Sequence, residues 1–257
     1  MTRSPTAASR LAPGVTQLDV TGTKAQSEVP QWTNADGLVA RAAAAADIGT
    51  VQMNAELHVN SWNQCYAADD YYFGTEPNDL LLQHHSVIRR GGDVLCLAEG
   101  EGRNAVFLAH EGYRVVAVDQ SAVGLQKAKR LAATKGAQIQ TVVADLCDYR
   151  IEPSSWDGIV SIWCHFPRSL RVAVHRQVVA GLKPGGVFVL EAYTPAQIGR
   201  GTGGPPTGDR TVTLPELRRE LKGLDLVRAL ERERVVHEGS EHDGLSAVVQ
   251  IVARKRL

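Results

Sequence analysis

From about Leu80 onward, short apolar runs alternate with stretches whose apolar positions recur at helical spacing. That alternation predicts βα units feeding a parallel sheet. Val94-Leu95-Cys96-Leu97-Ala98 reads as a first buried strand, with Cys96 in the core. Gly100 to Gly102 turns the chain, and Arg103–Glu111 reads as a helix with Gly112 just past its end. Val115–Val118 is a second strand, and Ser121 caps a helix that stops near Gly136. Ile139–Val143 and Gly158–Trp163 are the third and fourth strands. Leu170, Val174, Val178 and Leu182 mark one apolar helix face, which Lys183-Pro184-Gly185-Gly186 ends before a fifth strand over Val187–Leu190. Thr213-Leu214-Pro215-Glu216 forms a capping box ahead of Leu217 and Leu221, with Gly223 as the stop. Leu226–Val236 and Leu245–Val252 are long strands joined by the polar turn Glu238–Gly244. The expected class is α/β: seven strands, mostly parallel, a C-terminal antiparallel hairpin, and helices on both faces.

The leading residues lie outside this pattern. Met1–Glu28 is rich in Ser, Thr, Ala and Pro, and carries no acid before Asp19. This suits a disordered tail better than the organelle transit peptide it loosely resembles. Residues 1–55 are therefore expected to be a poorly structured extension and 56–257 the working domain; 257 residues suffice for one good core. Lys plus Arg balances Asp plus Glu at 28 each, which argues against a nucleic-acid or membrane partner and for a small molecule. No apolar stretch approaches the roughly 20 residues that span a bilayer. Cys65, Cys96, Cys147 and Cys164 show neither CxxC spacing nor histidines at zinc-ligand offsets, so a reduced, cytoplasmic protein without a metal site is expected.

The segment Glu99-Gly100-Glu101-Gly102-Arg103-Asn104-Ala105, between strand and helix, carries the most chemistry. Two glycines admit a ligand to the backbone, and the helix N-terminus offers unpaired N–H groups. The second strand ends at Asp119, 19 positions after Gly100, where an acid can accept from both ribose hydroxyls of an adenosine cofactor. Gly100-x-Gly102-x-x-Ala105 also satisfies the dinucleotide fingerprint of NAD and FAD enzymes, and a turn of this kind can be purely structural. Carboxylates at Glu99 and Glu101 oppose a pyrophosphate and favour a ligand bearing an ammonium and a sulfonium. Arg103 and Asn104 can meet that ligand's carboxylate or simply fill the first helical turn. Val143-Ala144-Asp145-Leu146 places another acid at a strand end, suited to an adenine amino group or equally a surface acid in a turn. The three features fall in order at successive strand ends, where open α/β sheets bind ligands.

With these motifs the sequence resembles the class I S-adenosylmethionine-dependent methyltransferases, which implies a Rossmann-like sheet. Val94–Asn104 is similar to their first motif, Val118-Asp119-Gln120-Ser121 to the second, Ala144-Asp145-Leu146 to the third, and Leu182–Gly186 to the loop before strand five. Tyr71–Asn78 and Gly102-Arg103-Asn104 resemble the tellurite-resistance and thiopurine methyltransferase branch. Cys96 and Ala98 stand where the family carries an acid and a glycine, and Glu99 supplies an acid three residues later. The resemblance implies S-adenosylmethionine as cofactor, held by Glu99, Gly100, Gly102, Arg103, Asn104, Asp119, Gln120, Ala144, Asp145 and Leu146. It implies methyl transfer to a small soft nucleophile such as a thiol, a tellurium or selenium species, or a halide. Trp163, Cys164 and His165, at the carboxyl end of strand four, are the expected catalytic residues, with Phe166 in the same wall and Arg168 as an anion contact; Trp163 and Phe166 can equally be core and His165 a helix-entry residue. Such a nucleophile needs alignment more than a base. Trp62, Tyr66 and Tyr72 are candidate lid residues or N-terminal packing, and Gly199–Gly208 a gate or plain connector. Glu231–Arg234 reads as a solvated strand face from which Arg234, like His242, can reach the pocket. The competing readings are a nicotinamide or flavin oxidoreductase and a non-catalytic nucleotide-binding protein.

Overall fold

A computed structural model describes residues 61–257. The expected extension over 1–55 lies outside the described residues. Seven strands form one sheet in the order β3-β2-β1-β4-β5-β7-β6. They are β1 (Asp93–Leu97), β2 (Arg114–Asp119), β3 (Gln140–Val143), β4 (Trp156–Ile162), β5 (Leu182–Tyr193), β6 (Leu224–His237) and β7 (Asp243–Lys255). The first five are parallel, and β7 pairs antiparallel with both β5 and β6. The mostly parallel sheet with a closing hairpin is thus the fold the pattern of apolar runs predicted.

Alternation along β1 shows how both faces are covered. Leu95 and Leu97 join a core with Val174 and Val178 of α4 (Arg168–Gly181) and Leu217 and Leu221 from α5 (Leu214–Glu220) and its cap. Val94 and Cys96 point the other way, onto Leu80 and Leu81 of α1 (Asp79–His84), Leu108 of α2 (Arg103–His110) and Leu125 of α3 (Ala122–Thr134). Cys96 is fully buried, and Ser121 caps α3 by accepting from the Gly124 N–H at 3.0 Å. The Thr213/Glu216 capping box is present at α5. His85 sets its ring edge against Phe107, at 5.0 Å between centroids.

Both ends of the fifth strand differ from the expected ones. β5 begins at Leu182, and its pairing with β4 jumps from Trp156↔Leu182 to Gly158↔Val187, so Lys183–Gly186 bulges within the strand. The Lys183 ammonium anchors this bulge between Asp93 (2.9 Å) and Asp157 (2.7 Å). β5 also runs three residues past Leu190, which carries Glu191 and Tyr193 to the carboxyl edge of the sheet. Among the described residues no helix is long and apolar enough to cross a membrane.

Candidate active site

The carboxyl ends of β1 and β2 are stitched through the glycine turn. Asp119 closes β2; one carboxylate oxygen accepts from the Gly100 N–H at 2.9 Å, the other from the Ser121 N–H at 2.7 Å. It is 5% exposed and no cation pairs with it among the described residues. Desolvation raises its pKa, because a buried carboxylate without a counter-ion disfavours its charge. Glu99 is similarly buried and accepts from the Ala105 N–H at the start of α2 (2.7 Å); burial pushes its carboxyl up to about 7, against the pull of that helix N-terminus and of Arg103. The Ala144 N–H bonds the Asp119 carbonyl at 3.0 Å, so β3 ends beside β2. Gln120 is half-buried, Leu146 is core, and Asp145 turns its carboxylate onto the Cys147 N–H (2.8 Å).

The two glycines serve different neighbours. A Cβ on Gly102, at φ 90°, would lie 2.4 Å from the Ala128 Cβ, so this residue permits α2 to approach α3. A Cβ on Gly100 would lie 2.7 Å from the Tyr66 hydroxyl, so the turn is kept open toward the upstream segment. Tyr66 stacks on Trp62 at 5.6 Å and meets Tyr72 edge-on at 6.5 Å. Glu101 holds this cover in place: it accepts from the Tyr72 N–H (2.7 Å) and pairs with buried Lys127, whose ammonium also donates to the carbonyls of Ala68 and Asp70. Glu101 therefore faces Lys127, and the uncompensated acids of the turn are Glu99 and Asp119.

At the end of β4 the chain enters Trp163 with φ 57°, a left-handed conformation unusual for a bulky side chain. Its ring stacks on Tyr193 at 4.4 Å, and Tyr193 stacks on His165 at 5.4 Å. His242, from the hairpin turn, meets Trp163 and Tyr193 edge-on at 5.1 and 5.5 Å. Both ring nitrogens of His165, the Tyr193 hydroxyl and Nδ1 of His242 are buried without a hydrogen-bond partner among the described residues. Desolvation pushes each histidine down to about 3, aided at His165 by the Arg210 charge. The Cys164 thiol donates to the Leu97 carbonyl (3.0 Å), and burial pushes it up to about 12. Phe166 packs on the core, and Arg168 is exposed beside Glu216. A cavity of about 300 Å³ opens between the 199–206 loop and residues 240–243; Gly203 separates it from Tyr193 and His242.

A buried polar cluster backs these rings. Glu191 accepts from Asn78 (2.6 Å), from Gln250 (2.7 Å) and doubly from Arg234 (2.8 Å each), while Glu238 pairs with both Arg103 and Arg234. Arg103 thus spends its guanidinium on Glu238, and the Asn104 side-chain oxygen accepts from the Asn78 N–H at 2.9 Å. Of the run read as a solvated face, Glu231 to Glu233 are exposed but Arg234 is buried in this cluster.

The set of acceptors distinguishes between ligands. Two buried, uncompensated carboxylates beside the turn match a ligand with an ammonium and a diol and repel a pyrophosphate. Residues 94–186, which span the turn, Asp119, Asp145 and the β5 bulge, match the family model of a methyltransferase domain. Over those residues the chain is similar to a methyltransferase domain. No curated protein matches the sequence. Among solved structures, one concerned with conversion of a disulfide bond into a thioacetal group during echinomycin biosynthesis aligns with TM-score 0.61 and 17% identity, over 79% of this chain and 92% of that one. TehB from Haemophilus influenzae aligns at 0.58 and 19%, over 68% and 61%. The 1,6-didemethyltoxoflavin-N1-methyltransferase of Burkholderia thailandensis, with bound S-adenosylhomocysteine, aligns at 0.58 and 21%, over 83% and 92%. At such identities the likeness shows the fold.

Four residues of this candidate site escaped the sequence reading: Asn78, Glu191, Tyr193 and Glu238. Glu191 and Tyr193 lie beyond the apolar run that defined strand five. An acid directly following that run, Glu191, was the one local signal that the strand continues into a polar site.

Proposed function

We propose that the domain transfers the methyl group of S-adenosylmethionine to a small, soft, already ionised nucleophile at the Trp163–His165 end of β4. The cofactor supplies an electrophilic methyl on a sulfonium. Asp119 accepts from its ribose hydroxyls, Glu99 receives its ammonium, and Ala144–Leu146 with Gln120 border its base. Gly100 opens the turn to it, Gly102 sets the helix that follows, and Tyr66 covers it. Trp163 and His165 line the acceptor's approach, with the Cys164 thiol fixed behind them.

The observation that carries the acceptor class is that the buried His165, Cys164 and His242 of the Trp163 wall are not tuned as bases for neutral pH; Glu99, pushed up to about 7, belongs to the turn on the cofactor side. His165 and His242 are held near 3 and Cys164 near 12, so none exchanges a proton efficiently at pH 7. A nucleophile that arrives ionised needs only alignment and desolvation. Arg210 suits an anion: its guanidinium reaches the His165 carbonyl at 3.5 Å and pairs with no carboxylate among the described residues.

Transfer of radiolabelled methyl to iodide, hydrosulfide, small thiols, selenite and tellurite, beside amine and phenol acceptors, tests this reading. Label should pass to the soft acceptors; transfer confined to amines or phenols would overturn it. Calorimetry should show heat with S-adenosylhomocysteine and none with NAD.

A further inference from the structure

We infer that Glu238 is a positioning residue of the methyltransferase: it fixes the Trp163 indole and ties that wall to the helix after the glycine turn. The inference rests on the reading that Trp163 borders the transferred methyl. Glu238 sits in the hairpin turn, 6% exposed, and its N–H bonds the His242 carbonyl at 2.8 Å. Each carboxylate oxygen takes two donors. One accepts from Asn78 and Arg234 at 2.8 Å each; the other accepts from the Trp163 indole N–H at 2.6 Å and pairs with Arg103. The donors come from the cap of α1, from β6, from the end of β4 and from the first residue of α2.

This arrangement supplies geometry more than stability. Two acids, Glu191 and Glu238, balance two arginines, Arg103 and Arg234, in a buried box, and such a box is seldom more stabilising than apolar residues of equal volume. Its distinguishing property is that each carboxylate oxygen of Glu238 is held by two donors from different elements. Trp163 needs that restraint, because its backbone is left-handed at φ 57° and stacking on Tyr193 leaves the ring free to slide in its own plane. The bond to Glu238 removes that freedom. Arg103 directly follows Gly102, so a shift in the turn reaches Trp163 through one shared carboxylate.

The test combines spectroscopy with kinetics. The Trp163 indole N–H resonance, identified by its loss in Trp163→Phe, should lie downfield and exchange slowly in the full-length protein with S-adenosylhomocysteine. In Glu238→Gln it should move upfield and exchange faster. With whichever acceptor of the panel turns over fastest, kcat should fall roughly tenfold, the worth of one charged hydrogen bond, while the cofactor KM moves far less. The Trp163→Phe/Glu238→Gln pair should lose no more than the worse single variant. Glu238→Asp, which keeps the charge but withdraws it, serves should the glutamine variant not fold. An unmoved indole resonance, or strictly additive losses, overturns the role of Glu238. An undiminished rate in Trp163→Phe alone refutes the placement of Trp163 instead, and the resonance then still judges Glu238.

Discussion

Replacing Asp119 with alanine asks the most of the proposed cofactor site. The carboxylate is almost fully buried, has no counter-ion among the described residues, and is held by the N–H groups of Gly100 and Ser121. Each oxygen retains a lone pair for a ribose hydroxyl. A hydrogen bond to a charged group contributes about 1.5–3 kcal/mol, and hydroxyls released from it partly regain water. Asp119→Ala should therefore weaken S-adenosylhomocysteine binding by about 1–3 kcal/mol, from several-fold to roughly a hundredfold in Kd. The substitution also strands two buried N–H groups, so stability falls, and calorimetry belongs well below the unfolding transition with the folded fraction checked by circular dichroism. A 2′-deoxy analogue of the ligand separates the two effects. If Asp119 grips the ribose, the wild type should lose much of its affinity for the deoxy analogue, and Asp119→Ala should be little further penalised by it. Equal Kd values for wild type and Asp119→Ala, or a full deoxy penalty persisting in the variant, would refute the assignment.

Two further outcomes follow from the same turn. Glu99 has its pKa raised from 4.5 to about 7, so the folded state holds a proton that the unfolded chain releases. Its contribution to stability is thus present below about 4.5 and lost as pH rises through 7, on the order of 3 kcal/mol, and Glu99→Gln should flatten that slope in denaturant titrations. Because an ammonium ligand needs the carboxylate, calorimetric affinity for S-adenosylhomocysteine should rise with pH through about 7 in the wild type and not in Glu99→Gln; a flat wild-type profile contradicts that contact. Ala98 sits at φ 47°, where an L side chain costs about 1–2 kcal/mol, so Ala98→Gly should be neutral or stabilise by up to about 1 kcal/mol after the greater freedom of unfolded glycine is offset. A clear fall in the urea midpoint would show that Ala98 is not strained.

The sheet was legible because parallel strands buried on both faces read as unbroken apolar runs, and the interiors of β1 and β2 obey that rule. Departures occur where a charge stands inside a strand. Glu191 ended the apolar run of β5, yet it is wholly buried, because Arg234 arrives from a strand 43 positions later. Lys183 looked like part of a terminating loop, and its ion pairs with Asp93 and Asp157 make it an anchor within the strand. Partners so distant in sequence leave no local periodicity, so buried polar networks are invisible until the fold assembles them.

The same physics explains why the motif at the first turn was only half a ligand site. A helix N-terminus concentrates donors, and evolution of a fold can spend those positions on neighbouring elements as readily as on a cofactor. Here Glu101 goes to Lys127, Gly102 to Ala128, Arg103 to Glu238 and Asn104 to Asn78. Among the described residues, Glu99 and Asp119 are left without an ion pair, and across the edge polar ring atoms of His165, Tyr193 and His242 are left without a hydrogen-bond partner. Strained backbone marks both sides of that gap, at Ala98 ending β1 and at Trp163 ending β4. A fold tolerates such strain where surrounding contacts over-determine it. At Trp163 those contacts are the Glu191 carbonyl, the Tyr193 ring and the Glu238 carboxylate. Loss of any one should therefore disturb the proposed acceptor wall before it disturbs the sheet, which makes turnover a more sensitive reporter of this cluster than thermal stability.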